Sequence, residues 1–128
     1  MYNEKVLHIL THTKNVGSLK GANGVAEITD AISGDVVKLH LKIENNRVED
    51  AKYKVFGSVS TIVCANVVTQ MVKGKTLEEV SKINENSIFD FVGDLPDDKK
   101  YSALLVVSTL HNTLEKYQKF LEKNELMN

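Results

Sequence analysis

Few residues of this chain could do thiol or metal chemistry. Cys64 is the only cysteine, so the chain forms no internal disulfide and lacks the three or four thiolates that structural zinc sites and iron–sulfur clusters usually need. Cys64 lies in an apolar stretch, which predicts an inert core thiol. His8 and His12 have a metal-ligand spacing, but no third ligand is indicated, so we interpret them as solvent-facing side chains.

The sequence Gly74-Lys75-Thr76 resembles part of a phosphate-binding loop. That loop needs a glycine at position 69, where this chain has threonine, and it follows a strand, whereas the preceding residues here predict a helix. The pattern of Thr76 and Glu79 predicts a helix-capping box instead. Neither His40 nor His111 has a nucleophile partner visible in the sequence. We therefore predict no enzymatic activity.

Composition predicts a folded single domain over residues 1–128. The chain is 42% hydrophobic and 26% charged with a formal net charge of −1, which suits a core and provides no basic face for nucleic acid. No apolar run is long enough to span a membrane. The first residues contain no apolar signal segment, and a single thiol suits a reducing compartment, so we expect a cytoplasmic protein.

The elements that must position any site follow from hydrophobic periodicity. Apolar residues alternate with polar ones over 37–43 and again over 51–55, with Asn45-Asn46 between them, which predicts an antiparallel hairpin with His40 on its polar side. A third strand is predicted over 25–29. Helices are predicted over 2–12, 60–73, 76–83 and about 87–91, and a last helix from Asp97 or Asp98. The fold class is therefore α+β, a three-stranded antiparallel sheet with helices packed on one face.

Five segments, in order along nearly the whole chain, resemble the U-type iron–sulfur cluster assembly scaffold family, which includes IscU and the N-terminal domain of NifU. The segments are 15–19 (NVGSL), 33–37 (SGDVV), 51–58 (AKYKVFGS), 74–79 (GKTLEE) and 95–103 (LPDDKKYSA). The resemblance implies the fold of that family, and the order of elements predicted above agrees with it. It also implies a site that binds a [2Fe-2S] cluster or zinc.

This chain departs from the family at the ligand positions. At the three positions where the resemblance implies cluster cysteines, this chain has Ser33, Ser58 and Ser102. Tyr101 occupies the position of a family histidine, and the family aspartate is retained as Asp35. A serine hydroxyl stays protonated and is a hard donor, so it competes poorly with thiolate for iron and sulfide. We therefore expect no bound cofactor.

The resulting hypothesis is a degenerate scaffold that acts as an interaction or regulatory module in iron–sulfur cluster biogenesis. The resemblance implies a cysteine desulfurase and a chaperone as partners, the chaperone through residues 95–99. The alternative is weak iron or zinc binding through Asp35 and Tyr101 with the neighbouring serines, or through Cys64 shared between two chains. Deliberate replacement of the cysteines is a third explanation, against which Tyr101 argues, because ligand removal need not change the neighbouring histidine.

Overall fold

The computed structural model describes residues 2–127, in which helices flank three strands. The elements are α1 (Glu4–Thr11), β1 (Gly24–Thr29), β2 (Val36–Glu44), β3 (Arg47–Phe56), α2 (Val59–Val72), α3 (Leu77–Ser81), α4 (Glu85–Val92), a 3₁₀ turn (Asp97–Lys99) and α5 (Tyr101–Met127). Within these residues no helix combines the length and the apolar character that crossing a membrane requires.

The three strands form one antiparallel sheet in the order β1-β2-β3. The β2–β3 hairpin turns at Asn45 and Asn46, whose φ angles of 52° and 63° lie in the left-handed region that asparagine tolerates. A register shift between Lys42 and Ile43 leaves Glu49 as an extra residue in β3. The predicted hairpin and the predicted α+β class are confirmed.

Helices α2 and α5 pack on the sheet and enclose the core. α2 is buried on nearly all sides, as its apolar composition predicts. α5 crosses β1 at Gly24, where an added Cβ would lie 3.3 Å from the carbonyl oxygen of Thr113. Glycine therefore permits the close approach of helix and strand at this crossing. The capping box at Thr76 is also confirmed, because its hydroxyl accepts from the backbone N–H of Glu79 at 3.2 Å and the Glu79 carboxylate accepts from the N–H of Thr76 at 3.0 Å.

The last helix begins at Tyr101, not at Asp97 or Asp98 as predicted. The N–H of Lys99 donates to the carbonyl oxygen of Pro96 at 2.8 Å, which forms a 3₁₀ turn before the helix. Leu95 is buried just ahead of this turn. The 3₁₀ turn therefore lies between the buried Leu95 and the start of α5.

His40 is buried, with 6% of its surface exposed, and the prediction that it lies on a solvated face is wrong. The segment before β1 hydrogen-bonds to β3 at Gly17 (N–H to the Tyr53 carbonyl, 2.8 Å) and to β2 at Asn23 (N–H to the Leu41 carbonyl, 3.0 Å). This segment covers the polar face of the hairpin. Burial, followed by the positive charges of Lys38 and Lys54, lowers the pKa of His40. A hydrogen bond with the backbone of Gly17 acts in the opposite direction but does not outweigh them.

The outer edge of β3 is hydrogen-bonded at two places. The N–H of Tyr53 donates to the carbonyl oxygen of Asn15, and the N–H of Gly17 donates to the carbonyl oxygen of Tyr53, both at 2.8 Å. Near the start of the strand, the N–H of Val48 donates to the carbonyl oxygen of Lys75 at 2.9 Å, and the N–H of Gly74 donates to the carbonyl oxygen of Val48 at 2.8 Å. Irregular segments of the chain thus pair with this strand.

The thiol of Cys64 is fully buried in α2, and burial raises its pKa to about 12. At pH 8 we expect it to react with iodoacetamide about a thousandfold more slowly than an unperturbed cysteine, because so little thiolate is present. Mass spectrometry of native and urea-unfolded protein measures this difference. Equal labelling rates in the two states would contradict a buried thiol.

Candidate functional site

A cluster of hydroxyl groups surrounds one buried carboxylate where three elements meet. The carboxylate comes from the residue before β2, and the hydroxyls come from the beginnings of α2 and α5. We call this group the hydroxyl cluster; its members are Asp35, Ser58, Ser60, Thr61, Tyr101 and Ser102.

The carboxylate of Asp35 accepts four hydrogen bonds. Its Oδ2 accepts from Ser58 Oγ at 2.8 Å, from Thr61 Oγ1 at 2.6 Å and from Tyr101 OH at 3.0 Å. Its Oδ1 accepts from the backbone N–H of Ser58 at 3.3 Å. Three of these four hydrogen bonds converge on Oδ2, so the acceptor capacity of that oxygen is used within the protein, whereas Oδ1 accepts one.

Two buried serines form a second layer behind these contacts. Ser102 Oγ lies 2.6 Å from Ser60 Oγ and 2.8 Å from Thr61 Oγ1, and Ser60 Oγ lies 3.1 Å from Ser58 Oγ. Ser60, Thr61 and Ser102 are fully buried. The hydroxyls therefore satisfy one another as well as the carboxylate, as buried polar groups must.

The backbone before α2 brings Asp35 close to the start of that helix. Gly57 has φ +152°, and a Cβ added there would lie 2.3 Å from Asp35 Oδ1, so only glycine fits beside the carboxylate. Ser58 is the N-cap residue of α2, yet its hydroxyl donates to Asp35 and makes no capping hydrogen bond. The positive end of the helix dipole favours a carboxylate in this place.

Burial and hydrogen bonding act in opposite directions on Asp35. Burial alone would raise its pKa, but the hydrogen bonds from Thr61, Ser58 and Tyr101 outweigh it and hold the pKa of Asp35 below its usual value. Asp35 is therefore ionised at neutral pH, and the cluster contains one negative charge stabilised by hydroxyl donors.

Of the residues predicted for the site, Asp35, Ser58, Tyr101 and Ser102 come together, whereas Ser33 faces elsewhere. Ser33 Oγ donates to Asp30 Oδ2 at 2.6 Å and accepts from the Asp35 N–H at 3.1 Å, and the residue is exposed. Hydrogen bonds from the Ser33 side chain and backbone lower the pKa of Asp30. Ser33 thus closes the β1–β2 turn at the edge of the cluster.

Sequence reasoning missed Ser60 and Thr61. The signal available was the run from Ser58 to Thr61, which places three hydroxyls within four residues at a predicted helix start. Residues in the first turn of a helix share its N-terminal end, so their side chains can converge on one acceptor there. The partner carboxylate lies 26 residues away from Thr61 and could not be identified from local pattern alone.

The donor set does not fit an iron–sulfur cluster or a thiolate zinc site. Hydroxyl donors dominate, and within residues 2–127 no three histidine, cysteine, aspartate or glutamate side chains are grouped so as to hold a metal ion. Hard, protonated hydroxyls are poor ligands for iron–sulfide units. Because Cys64 is fully buried, the idea that two chains share this thiol as a ligand is wrong for this fold.

Large apolar side chains stand exposed around the hydroxyl cluster. Ile32 is 97% exposed and precedes Ser33, and Phe56 is 81% exposed and precedes Gly57. Val59 and Leu104 are also exposed, the latter beside Tyr101 at a cavity of about 250 Å³. We call Ile32, Phe56, Val59 and Leu104 the apolar rim. Such a group of exposed apolar residues is typical of an interaction site.

The lowered pKa of Asp35 predicts a specific pH dependence of stability. The contribution of this carboxylate is present above its unfolded-state value near 3.8 and is lost as the pH falls through the lower folded-state value. We expect Asp35→Asn to reduce the free energy of unfolding at pH 7 by about 1–3 kcal/mol, because the charged acceptor is lost. Urea unfolding of both proteins should show this gap narrowing towards pH 3.

The matched control is Asp98→Asn, because Asp98 is exposed. Its free energy of unfolding should stay within about 0.5 kcal/mol of that of the unsubstituted protein at both pH 7 and pH 3. If the free energies of unfolding of Asp35→Asn and the unsubstituted protein differed by the same amount at pH 7 and at pH 3, this would contradict an ionised, hydrogen-bonded Asp35.

The chain is similar to proteins that are named as iron–sulfur cluster assembly scaffolds. Over residues 1–124 it matches the family described as NifU-like N terminal domain. It is 36% identical over 118 residues to the iron-sulfur cluster assembly scaffold protein IscU of Aquifex aeolicus, an alignment that covers 91% of this chain and 75% of that protein. It is 32% identical over 117 residues to IscU 1 of Archaeoglobus fulgidus, covering 91% of this chain and 76% of the relative.

Solved structures support the same fold. The N-terminal NifU-like protein of Brucella abortus superposes with a TM-score of 0.77 at 18% identity, covering 91% of this chain and 94% of that one. The resemblance predicted from the five sequence segments is therefore confirmed. The chain belongs to the NifU-like N-terminal domain family, whose named members among these relatives include IscU scaffold proteins.

Proposed function

We propose that this chain is a degenerate scaffold that holds no iron–sulfur cluster and acts as a non-catalytic interaction module in cluster biogenesis. The observation that carries the proposal is the presence of hydroxyls at all three positions expected to hold cysteine: Ser33, Ser58 and Ser102. The relatives are described as iron–sulfur cluster assembly scaffold proteins. A shared fold with different donor atoms supports partner recognition without cluster chemistry.

The arrangement of the hydroxyl cluster opposes ligand exchange. A metal ion that bound Asp35 Oδ2 would displace the hydrogen bonds from Ser58, Thr61 and Tyr101, which already use the lone pairs of that oxygen. This argument also gives little support to the alternative of weak iron or zinc binding through Asp35 and Tyr101. The cluster instead ties the starts of α2 and α5 to β2.

Sulfur delivery to this chain is opposed by the same substitutions. Accepting sulfur from a persulfide requires an accessible thiolate, because the new bond forms between two sulfur atoms. Ser58 and Ser102 offer oxygen, and Cys64 is buried with a strongly raised pKa. A persulfide-carrying protein that docks here therefore meets no thiolate that could attack its sulfur.

The apolar rim favours a cysteine desulfurase as the partner. Ile32, Phe56 and Val59 flank Ser33 and Ser58, two positions that a sulfur donor must approach in a cluster-binding member of the family. Exposed aromatic and aliphatic groups provide apolar area for such docking. We propose that the desulfurase binds the rim and that this chain competes with a cluster-binding scaffold for it.

The loop at residues 95–99 gives less support to a chaperone partner. Leu95 is buried in the core, so it is not presented to a peptide-binding groove. Asp97 is exposed and pairs with Lys100 at 3.1 Å, next to the start of α5. This loop is better explained as the entry to the last helix.

Anaerobic reconstitution with ferrous iron, sulfide and reductant tests cluster binding. We expect the protein to emerge from a desalting column colourless, with less than about 0.1 iron per chain, because hydroxyl oxygens do not replace thiolates. The comparison variant Ser33→Cys/Ser58→Cys/Ser102→Cys should retain iron and sulfide and absorb visible light.

Two results would contradict the proposal. Stoichiometric iron and acid-labile sulfide in the unsubstituted protein would show that it holds a cluster after all. A triple variant that folds, as judged by circular dichroism, but stays colourless would refute the explanation based on donor atoms.

Competition tests the partner. We expect the protein to bind the cysteine desulfurase of its own organism and to slow sulfur transfer to a cluster-binding scaffold, as measured by persulfide formed on that scaffold. Ile32→Glu/Phe56→Glu should weaken desulfurase binding about tenfold or more, because it places charges in an apolar contact.

The control for this experiment is Leu126→Glu, since Leu126 is 89% exposed in the last turn of α5. It should leave binding and competition unchanged. An unaffected rate of persulfide formation at saturating concentrations of this protein would overturn the proposed partner.

A further inference from the structure

A cavity of about 300 Å³ lies between α1, the end of α2 and α4, away from the hydroxyl cluster. Hydrogen bonds hold its walls together. Asn3 Nδ2 donates to the carbonyl oxygen of Val92 at 2.8 Å, which ties α1 to α4. Asn66 Nδ2 donates to the carbonyl oxygen of Lys14 at 3.0 Å, which ties the loop after α1 to α2. The cavity is therefore preformed, at the small end of the size range of ligand sites.

The charged and titratable groups that line this cavity are all basic. They are the ammonium groups of Lys5 and Lys14 and the imidazoles of His8 and His12. Within residues 2–127 none of these four side chains has a carboxylate within ion-pair distance. The two unpaired ammonium groups favour an anion, and a phosphate group can accept hydrogen bonds from both of them and from imidazole N–H groups together.

The two histidines form one ordered wall. Their rings stack with centroids 4.1 Å apart and an interplanar angle of 22°. His12 Nδ1 lies 3.0 Å from the carbonyl oxygen of His8 and 2.9 Å from Thr11 Oγ1. These contacts hold the ring of His12 in place.

The floor of the cavity is apolar. Phe91 and Ile9 line it, and Phe91 remains 38% exposed although it is a large aromatic residue. Lys5 Nζ lies 5.7 Å from the centre of the Phe91 ring, a cation–π contact that keeps the ammonium group beside the cavity. A ligand with an apolar body next to an anionic group would therefore match both the apolar and the basic side chains that line the cavity.

We propose that this cavity binds a small organic phosphate with an aromatic body. The phosphate would contact Lys5, Lys14 and the imidazoles, and the aromatic body would cover Phe91 and Ile9. The site shares no residue with the hydroxyl cluster or the apolar rim. It is independent of the proposed interaction role.

Nuclear magnetic resonance titration of the ¹⁵N-labelled protein with phenyl phosphate tests the site. We expect chemical-shift changes in α1, α4 and Gln70, with an affinity about tenfold higher than for inorganic phosphate or phenol, each of which satisfies only half of the lining. Lys5→Gln/Lys14→Gln should weaken phenyl phosphate binding about tenfold. Phe91→Ala should weaken it while leaving the weaker binding of inorganic phosphate unchanged.

The matched control is Lys119→Gln/Lys123→Gln, which removes the same charge from exposed positions on α5. It should bind phenyl phosphate as the unsubstituted protein does. Shift changes outside the cavity, inorganic phosphate binding as tightly as phenyl phosphate, or equal losses in the two lysine variants would each overturn the proposal. All four lysines are exposed, so unchanged thermal midpoints are expected for both variants.

Discussion

A buried carboxylate must be hydrogen-bonded or it destabilises the fold, and Asp35 imposes this requirement on its surroundings. Three hydroxyls and one backbone N–H meet it, and they come from the first turns of two helices. The carboxylate therefore fixes how α2 and α5 approach the start of β2. Gly57 belongs to the same constraint, because any side chain there would occupy the space of Asp35 Oδ1.

The hydroxyl cluster shows what Ser58 and Ser102 do in this fold. The hydroxyls of Ser58, Thr61 and Tyr101 donate to Asp35 Oδ2 and occupy the lone pairs that a metal ion bound to this oxygen would need. Ser58 supplies a hydroxyl donor that stabilises the ionised Asp35. The outer surface carries large exposed apolar side chains beside this closed interior.

The sequence predicted those features that depend on local pattern. The hairpin around Asn45 and Asn46, the buried helix α2 and the capping box at Thr76 follow from periodicity and short-range chemistry. The burial of His40 did not, because a distant segment covers its strand. Ser60 and Thr61 were missed for the same reason: their partner, Asp35, belongs to another element and becomes a neighbour only after folding.

The pairing along the outer edge of β3 restricts how other chains can associate with the sheet. Tyr53 and Val48 already direct their main-chain polar groups to segments of their own chain. An incoming extended peptide would find no run of unsatisfied amides there, which guards this side of the sheet against aggregation by β-augmentation. Partners that dock at this edge must consequently be selected by side-chain shape and charge.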